Sequence, residues 1–337
     1  MRALVLTGPG KADVRDVPAP VAGPGQVVVD VHRVGVCGTD VAFLRGTMPY
    51  LATGQAVYPL RPGHEWCGAV SSVGPGVDES WTGRRVSGDT MLGCRRCDRC
   101  ARGLQHVCAD RFEVGVLGGW HGALAEQVLV PVTSLQPLPD SVSDGAGAMV
   151  EPGGNSARAV LRAGVAAGER VAVIGPGTLG LLAADFARAA GAEVHVLGRS
   201  AGGLDLARGL GVAGVHRVDD VPALEFQVVI DMSSGVGMPR RAFDLVEPGG
   251  RVVLAGIAGE PTAIDVRELV FKDVTMIGDL SGSPAAEFTV GAFADGTVDP
   301  EPLVAATVPL ERAADVLEGW RPEDAGPGPK MHIDPRR

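Results

Sequence analysis

The amino-acid sequence predicts a two-domain α/β protein, in which an irregular, mostly β domain precedes a doubly wound parallel-sheet domain. From Met1 to about Val150, short β-branched runs alternate with Gly/Pro turns, as in QVVVDVHRVG (26–35) and GAVSSVG (68–74). From about Gly168, strand-like and helix-like segments alternate, which is typical of a parallel sheet covered by helices. The length of 337 residues also fits two domains of ordinary size.

The elements of the second domain follow one another without long linkers. Short apolar runs rich in valine indicate strands, and longer amphipathic runs rich in alanine and leucine indicate helices. In chain order these segments are GERVAVIGPG (strand and turn), LGLLAADFARAAGA (helix), EVHVLGRS (strand), LDLARGLG (helix), FQVVIDMSS (strand), PRRAFDLVEPGG (helix and exit) and RVVLAGIAG (strand).

Composition excludes several classes of protein. The net charge is −10 and there is no basic block, which argues against a nucleic-acid or anionic-membrane surface. No apolar run approaches the ~20 residues of a membrane span. The first residues, MRALVLTGPG, resemble a strand rather than a signal peptide. We therefore expect a soluble, cytoplasmic protein.

Four of the six cysteines fall within GCRRCDRCARGLQHVC (93–108), with the spacing C-x2-C-x2-C-x7-C. Two disulfides, an iron–sulfur cluster and a tetrahedral zinc site are the alternatives. The intervening residues are mostly polar, so this lobe has almost no core of its own, and metal binding would supply the missing folding energy. We expect a structural zinc with no open position, held by Cys94, Cys97, Cys100 and Cys108.

A glycine-rich turn follows the first strand of the second domain. G-x-G-x-x-G is weak evidence alone, but inside a βαβ unit it lets a dinucleotide pyrophosphate approach the helix N-terminus. The turn reads GPGTLG, and its candidate cofactor-binding residues are Gly175, Gly177, Thr178, Leu179 and Gly180.

The end of the next strand indicates which cofactor binds. NAD sites place a carboxylate about 20 residues after the first glycine, where it holds the ribose 2′-hydroxyl. Here that position is Gly198, followed by Arg199 and Ser200, which could pair with and hydrogen-bond to a 2′-phosphate. This pattern favours NADP(H). The alternative is that Arg199 is a solvated loop charge in an NAD enzyme that lost its acid.

Taken together, these motifs resemble the zinc-dependent medium-chain dehydrogenase/reductase family, which includes alcohol, sorbitol, glucose and threonine dehydrogenases. The resemblance covers nearly the whole chain, and the motifs stand in the family's order. They are GVCGTD (35–40), PGHEWCGAVSSVG (62–74), the four-cysteine lobe, GALAEQ (122–127), EP (151–152) and the glycine turn.

The resemblance implies a domain plan and an assembly. Residues 1–152 would form a GroES-like catalytic domain, 153–289 a Rossmann coenzyme domain, and 290–337 a return to the catalytic domain, with the reaction in the cleft between them. The segment DVTMIGDL (273–280) is expected to be the edge strand of the coenzyme sheet. Since an apolar edge strand invites pairing, it would support a homodimer, or a homotetramer built from dimers.

The resemblance also implies a second, catalytic zinc. By position its ligands are Cys37, His64 and Glu151, and Glu65 is a carboxylate that joins or exchanges. This donor set leaves one open position for water or substrate. Taken singly, these residues have ordinary alternatives: a buried thiol, a surface pair and a helix-entry charge.

Further roles follow from the same resemblance. Asp40 would orient the ligand histidine through a hydrogen bond, and Thr39 would take the substrate proton. Asn155 would lie near the nicotinamide. Gly153 and Gly154, where the family has bulkier residues, indicate either a roomier floor or a closer backbone approach.

The chain departs from the family in the region that carries the proton outwards. No histidine occurs in residues 41–46, so the proton must leave through water, the ribose or another group. Trp120 and His121 are candidates for the substrate-pocket wall, the alternative being a loop pair packed on the surface. Cys67 is expected in the core.

The predicted activity is therefore hydride transfer between NADP(H) and a secondary alcohol or ketone, with a polyol, sugar or cyclitol as the expected substrate. One alternative is a simple alcohol- or threonine-type dehydrogenase that uses NAD. Another is an inactive nucleotide-binding structural or regulatory protein on the same scaffold. A zincless quinone-reductase-like enzyme is disfavoured because the ligand set is present.

Overall fold

The computed structural model describes Met1–Arg337, and the chain divides into two compact units. The first unit comprises Met1–Glu151 and Ala286–Arg337, and the second comprises Pro152–Ala285. The return to the first unit thus begins a few residues earlier than residue 290. The helix that begins at Ala286 contacts a strand of the first unit, and this contact moves the boundary.

The N-terminal part of the first unit consists of short strands and short helices, as the frequent Gly/Pro turns predict. Its elements are β1 (Arg2–Gly8), β2 (Lys11–Asp16), β3 (Gln26–Val36), α1 (Gly38–Arg45), α2 (Pro49–Ala52), β4 (Glu65–Val73), β5 (Arg85–Gly88), β6 (Met91–Leu92), α3 (Asp98–Ala101), β7 (Phe112–Glu113), β8 (Gln127–Pro131), β9 (Leu135–Pro137) and α4 (Asp144–Ala148).

The second unit alternates strands and helices. Its elements are α5 (Val150–Ala163, which begins at the boundary), β10 (Arg170–Ile174), α6 (Thr178–Ala189), β11 (Glu193–Gly198), α7 (Ala201–Gly209), β12 (Gly214–Arg217), β13 (Phe226–Asp231), α8 (Met238–Leu245), β14 (Val246–Leu254), α9 (Val266–Lys272) and β15 (Thr275–Gly278).

The six strands of the second unit form one parallel sheet in the order β12-β11-β10-β13-β14-β15. The order reverses between β10 and β13, which is the switch point at which doubly wound sheets bind dinucleotides. The strands are buried by helices, as the near-continuous valine and isoleucine of Val171–Ile174 requires. The predicted fold class is confirmed.

The C-terminal segment adds two helices and two strands to the first unit. These are α10 (Ala286–Ala294), β16 (Val304–Pro309), α11 (Ala313–Leu317) and β17 (Lys330–Asp334). Strand β17 pairs antiparallel with β3, in the sheet order β16-β17-β3-β4-β5-β9, and β8 also pairs with β3. This pairing brings the last residues of the chain beside the motifs of the N-terminal part.

The cores of the two units are separate sets of side chains. In the first unit Trp66, Phe43 and Leu124 are completely buried, and in the second Phe226 and Phe243 are. Burial of each such side chain contributes about 1.5–3 kcal/mol relative to its exposure. None of the helices is long and apolar enough to cross a lipid bilayer.

Candidate active site and metal centres

Cys37, His64 and Glu65 lie together in the first unit, with their candidate ligand atoms all within 4.8 Å of one another. Cys37 caps the N-terminus of α1, and the other two residues stand at the start of β4. The Cys37 Sγ atom is 3.2 Å from His64 Nε2. A thiolate, an imidazole and a carboxylate at this spacing form a donor set that binds zinc.

The electrostatics of this cluster favour a cation. Burial lowers the pKa of His64, but the neighbouring Cys37, Asp40 and Glu151 more than offset it, so that the pKa lies well above its ordinary value. Burial and the charge of Asp40 raise the pKa of the Cys37 thiol. The buried His64 Nδ1 atom has no hydrogen-bond partner. Because a divalent ion would supply the positive charge that these groups attract, the residues present fit a metal.

Asp40 is completely buried and joins the two ligand segments. Its carboxylate accepts hydrogen bonds from the backbone N–H groups of Cys37 and Gly63, both at 3.0 Å. The predicted bond to His64 is not formed, because Asp40 Oδ1 lies 3.9 Å from Nδ1, beyond hydrogen-bond distance. Asp40 therefore holds the backbone of the site, and its influence on the imidazole is electrostatic.

Glu65 has a partner that sequence reasoning missed. Lys330 on β17 is 3% exposed, and its Nζ atom donates to Glu65 Oε2 at 2.5 Å and to the Val36 carbonyl at 3.1 Å. A side chain at Gly35 would come within 2.2 Å of the Glu65 carboxylate, so glycine is required there. The only sequence signal was a lysine within the apolar run KMHID, far from Glu65 in the chain.

Glu151 stands near the cluster but outside its closest group. The Glu151 carboxylate is not part of the group of ligand atoms that lie within 4.8 Å of one another. Its charge nevertheless raises the pKa of His64. Glu151 lies in the first turn of α5. Thr39, in the first turn of α1, is partly exposed two residues after Cys37. The ligand role of Glu151 and the proton-accepting role of Thr39 stay predictions.

The four sulfur atoms of the cysteine lobe also lie within 4.8 Å of one another, and all four thiols are free. The Sγ atoms of Cys97 and Cys108 are 3.8 Å apart. A tetrahedral ion with Zn–S bonds of about 2.3 Å separates its sulfur ligands by about 3.8 Å. The spacing thus fits one ion and excludes disulfides, whose sulfur atoms are about 2.05 Å apart.

Little besides the sulfur atoms organises this lobe. Its helix α3 has only four residues, and Arg95 adopts a left-handed conformation with φ of 60°. Backbone N–H groups lower the pKa of Cys94 to about 6, whereas burial raises that of Cys100 to about 11. A shared cation would hold all four as thiolates. The residues present therefore fit a closed metal site.

The glycine turn of the second unit lies between β10 and α6, as predicted. Gly177 caps the helix, and Thr178 and Leu179 are its first residues. Gly175 has a φ of +102°, and a side chain on Gly180 would come within 1.8 Å of the Gly175 carbonyl. These glycines permit a tight turn that leaves backbone N–H groups free for a pyrophosphate.

The end of β11 carries the residues that the sequence analysis expects to bind a 2′-phosphate. Arg199 is exposed, and its Nε atom lies 3.5 Å from a carboxylate oxygen of Asp219. Sequence reasoning missed this partner. The Ser200 hydroxyl oxygen accepts a bond from Gly203 N and so caps α7, which leaves its hydrogen free to donate. A Cβ atom at Gly198 would come within 2.3 Å of Pro176 Cδ, so this position cannot easily carry a carboxylate.

The two unusual glycines after Glu151 allow a close backbone approach. A Cβ atom on Gly154 would lie 3.0 Å from the Gly282 carbonyl, and one on Gly282 would lie 2.3 Å from the backbone N of Asn155. Helix α5 therefore touches the Gly282 loop. Of the two explanations predicted for these glycines, the closer approach of two backbone segments is the one that applies at Gly154. Asn155 is partly exposed on this helix, and its position beside the nicotinamide stays a prediction.

Three further predicted residues can be placed. Cys67 is completely buried and donates to the Asp144 carbonyl at 3.0 Å, which confirms it as a core residue. Trp120 and His121 line a cavity of the first unit that none of the zinc-ligand candidates lines. Their role in the wall of the substrate pocket stays a prediction.

Comparison with known proteins agrees with these features. Residues 23–140 match the alcohol dehydrogenase GroES-like domain family, and residues 178–295 match the zinc-binding dehydrogenase family. The chain is 30% identical to L-threonine 3-dehydrogenase of Rhizobium etli (strain CIAT 652) over 349 residues, with 97% of each chain covered.

Solved structures give the same result. A zinc-binding dehydrogenase from Sinorhizobium meliloti 1021 bound to NADP superimposes with a TM-score of 0.90 at 28% identity, and 99% of each chain is covered. The alcohol dehydrogenase TADH from Thermus sp. ATN1 also gives 0.90, at 26% identity with 99% of each chain covered. Matches over the full length of the chain, together with both domain families, establish that this protein belongs to the zinc-dependent medium-chain dehydrogenase/reductase family and is an oxidoreductase of the alcohol dehydrogenase type.

Proposed function

We propose that this enzyme transfers a hydride between NADP(H) and a secondary alcohol or the matching ketone, with a polyol, sugar or cyclitol as its substrate. The observation that carries the proposal is the donor set of the half-buried Cys37 and the buried His64 and Glu65. Zinc bound there supplies a Lewis acid for the substrate oxygen, and the nicotinamide supplies or accepts the hydride. We further propose a second zinc in the cysteine lobe.

The chain's own residues divide the remaining work. Cys37 and His64 would hold the metal, and Asp40 fixes their two segments by accepting hydrogen bonds from the backbone N–H groups of Cys37 and Gly63. Lys330 pairs with Glu65, whose carboxylate belongs to the same donor set and can join or exchange with the other ligands. Glu151 completes the ligand set when the metal is present. Thr39 receives the proton of the substrate hydroxyl and passes it outwards through water or the cofactor ribose.

The preference for NADP(H) rests on the end of β11. Gly198 cannot readily carry the carboxylate of an NAD site, and Arg199 can pair with a 2′-phosphate. Its present partner Asp219 is exposed, and such surface pairs contribute only about 0–1 kcal/mol. A phosphate can therefore displace it. The S. meliloti relative bound to NADP supports the same preference.

The cofactor proposal is tested by kcat/KM for NADP(H) and NAD(H) in wild type and Arg199→Ala. A charge-assisted pair contributes about 1.5–3 kcal/mol, so the wild type should prefer NADP(H) by at least about tenfold and the variant should lose most of that preference. Arg208→Ala is the control, because Arg208 is exposed on α7 and pairs with Asp205. Equal use of both cofactors, unchanged in Arg199→Ala, would reject the proposal. Gly198→Asp is a less useful test, because its side chain would displace Pro176.

A second candidate substrate is L-threonine, because the chain is 30% identical to L-threonine 3-dehydrogenase of R. etli. Both candidates are secondary alcohols and would use the same metal site. A screen of polyols, cyclitols, their ketones and L-threonine with both cofactors separates them. Turnover of L-threonine alone would replace the polyol proposal. Tight NADP(H) binding without any turnover would contradict the proposed reaction.

We also propose that the enzyme forms a homodimer, or a tetramer of such dimers, through β15. This strand is the edge of the sheet of the second unit, and an unpaired edge can pair with its copy. Sedimentation should give a dimer or tetramer at micromolar concentration. A proline within β15 should shift the protein towards monomer, because proline weakens the pairing of a strand. A monomeric wild type would refute this assembly.

A further inference from the structure

A cavity of about 430 Å³ lies in the first unit, apart from the metal ligands. Its wall includes Arg61, Trp120, His121 and Gln127, together with the N-terminal Met1. None of the cysteines, and neither His64 nor Glu65, belongs to this wall. None of the proposed metal ligands therefore lines this cavity.

The charge of the cavity differs in sign from that of the protein. The chain carries a net charge of −10, yet none of the residues that line the cavity is acidic. Arg61 forms no ion pair or side-chain hydrogen bond with another residue, and partial burial lowers its pKa. A guanidinium that has lost part of its hydration without gaining a partner is costly, and an anion would compensate for it.

Two aromatic side chains stand beside this cation. The Trp120 indole is fixed because Nε1 donates to the Leu129 carbonyl at 2.7 Å and its ring contacts Phe112 with a centroid distance of 5.7 Å. His121 is exposed, and burial together with the charge of Arg61 lowers its pKa, so it is neutral near pH 7 and can donate one hydrogen bond. A fixed indole offers an apolar face to a ring or chain.

The neighbouring backbone keeps the cavity open. Gly118 and Gly119 have φ values of +75° and +77°, which favour glycine, and no atom lies within 4 Å of a Cβ built on Gly119. Both glycines line the cavity beside Trp120. The segment is anchored by Gly122 N, which donates to the Arg61 carbonyl at 2.8 Å.

We propose that this cavity is a second ligand site, which binds a small organic anion whose carboxylate or phosphate pairs with Arg61 and whose apolar part packs on Trp120. The site is distinct from the metal cluster and from the cofactor turn. The proposal does not depend on the identity of the substrate.

Isothermal titration calorimetry of the full chain tests the proposal. The protein is first saturated with NADP+, so that phosphate cannot bind at the cofactor site. Phenyl phosphate, benzoate and inorganic phosphate are the probes. We expect at least one aromatic anion to bind, and Arg61→Gln to weaken that binding by about tenfold or more. Trp120→Leu should weaken the aromatic probes but not inorganic phosphate.

Two further variants keep the result interpretable. Arg84→Gln is the matched control, because Arg84 also has no carboxylate partner and lies over the Trp81 ring at 5.2 Å, outside the cavity. Arg61→Lys retains the charge and should retain most of the affinity. Stronger binding of phenyl phosphate than of benzoate would assign a phosphate ligand, and the reverse a carboxylate. No binding of any probe at millimolar concentration, or equal binding by Arg61→Gln and wild type, would overturn the proposal.

Discussion

The two candidate metal clusters of the first unit differ in their ligands and in how the chain holds them. The Cys37 cluster lies at the ends of strands and a helix, and the buried side chains of Asp40 and Lys330 position its ligands. The cysteine lobe has a four-residue helix, short turns and mostly exposed arginines between its thiols. The fold therefore positions the first donor set, whereas we propose that a bound metal stabilises the fold of the second. Removal of a ligand should consequently affect chemistry at one cluster and stability at the other.

The largest expected effect is on turnover in His64→Ala. Loss of this ligand should remove one metal ion and lower kcat/KM at least about a thousandfold, or about 4 kcal/mol of transition-state stabilisation. NADP(H) affinity should be unchanged, since the cofactor turn belongs to the second unit. His32→Ala is the control, because His32 is partly exposed and pairs with Asp144. Wild-type activity in a metal-depleted His64→Ala protein would eliminate the proposed chemistry.

The next effect is on stability, in Cys100→Ser. Structural zinc sites contribute about 10–16 kcal/mol of binding free energy in isolated peptides, so loss of one thiolate should unfold the lobe and lower Tm by several degrees. The folded fraction should keep most of its turnover. Cys67→Ser is the matched control, because Cys67 is buried and belongs to neither candidate metal cluster. Unchanged Tm with abolished turnover would reverse the roles of the two clusters.

A third prediction concerns the buried ion pair beside the first cluster. Lys330→Met leaves the Glu65 carboxylate buried without its cation, which should cost about 3–5 kcal/mol of unfolding free energy. Zinc should restore part of this loss, because the ion also neutralises Glu65. Urea unfolding with and without zinc measures both effects. Lys272→Met is the comparison, because the hydrogen bonds of the Lys272 ammonium go only to backbone carbonyls. This variant should lose less unfolding free energy. Equal losses in the two variants would show that the pair has no special role.

The smallest expected effect is a pH dependence of stability that arises from His332, which lies on β17 as Lys330 does. His332 is completely buried, neither ring nitrogen has a partner, and burial with the charges of Lys330 and Arg33 lowers its pKa to about 3. The unfolded chain protonates this ring near pH 6.5, so stability is lost as pH falls from there towards 3. At pH 5 the loss is about 2 kcal/mol. His332→Leu should remove it. The same acid sensitivity in wild type and variant would assign the loss to other groups.

Sequence reasoning succeeded where the chemistry is local. The four cysteines lie together, Cys37 lies beside His64, and the glycine turn precedes α6, as the sequence predicts, because each motif occupies a few adjacent residues. What these residues bind stays a prediction. The alternation of strands and helices likewise predicted the parallel sheet. These features needed no knowledge of distant contacts.

It failed where the fold brings distant residues together. Lys330 reaches Glu65 only because β17 pairs with β3, and Asp219 reaches Arg199 only because β12 lies beside β11. Asp40 was assigned to the imidazole, but its buried position gives it two backbone donors instead. Arg61 is unremarkable in the sequence, and its missing partner becomes visible only when the cavity around it is complete.

The ratio of zinc to protein in wild type, His64→Ala and Cys100→Ser tests the division between the two clusters most directly. Each purified chain is analysed by mass spectrometry of its metals. We predict about two zinc ions per wild-type chain and about one in each variant, with activity lost in the first variant and stability in the second. One zinc in the wild type that disappears in Cys100→Ser would remove the catalytic metal, and a wild type without zinc would contradict both sites.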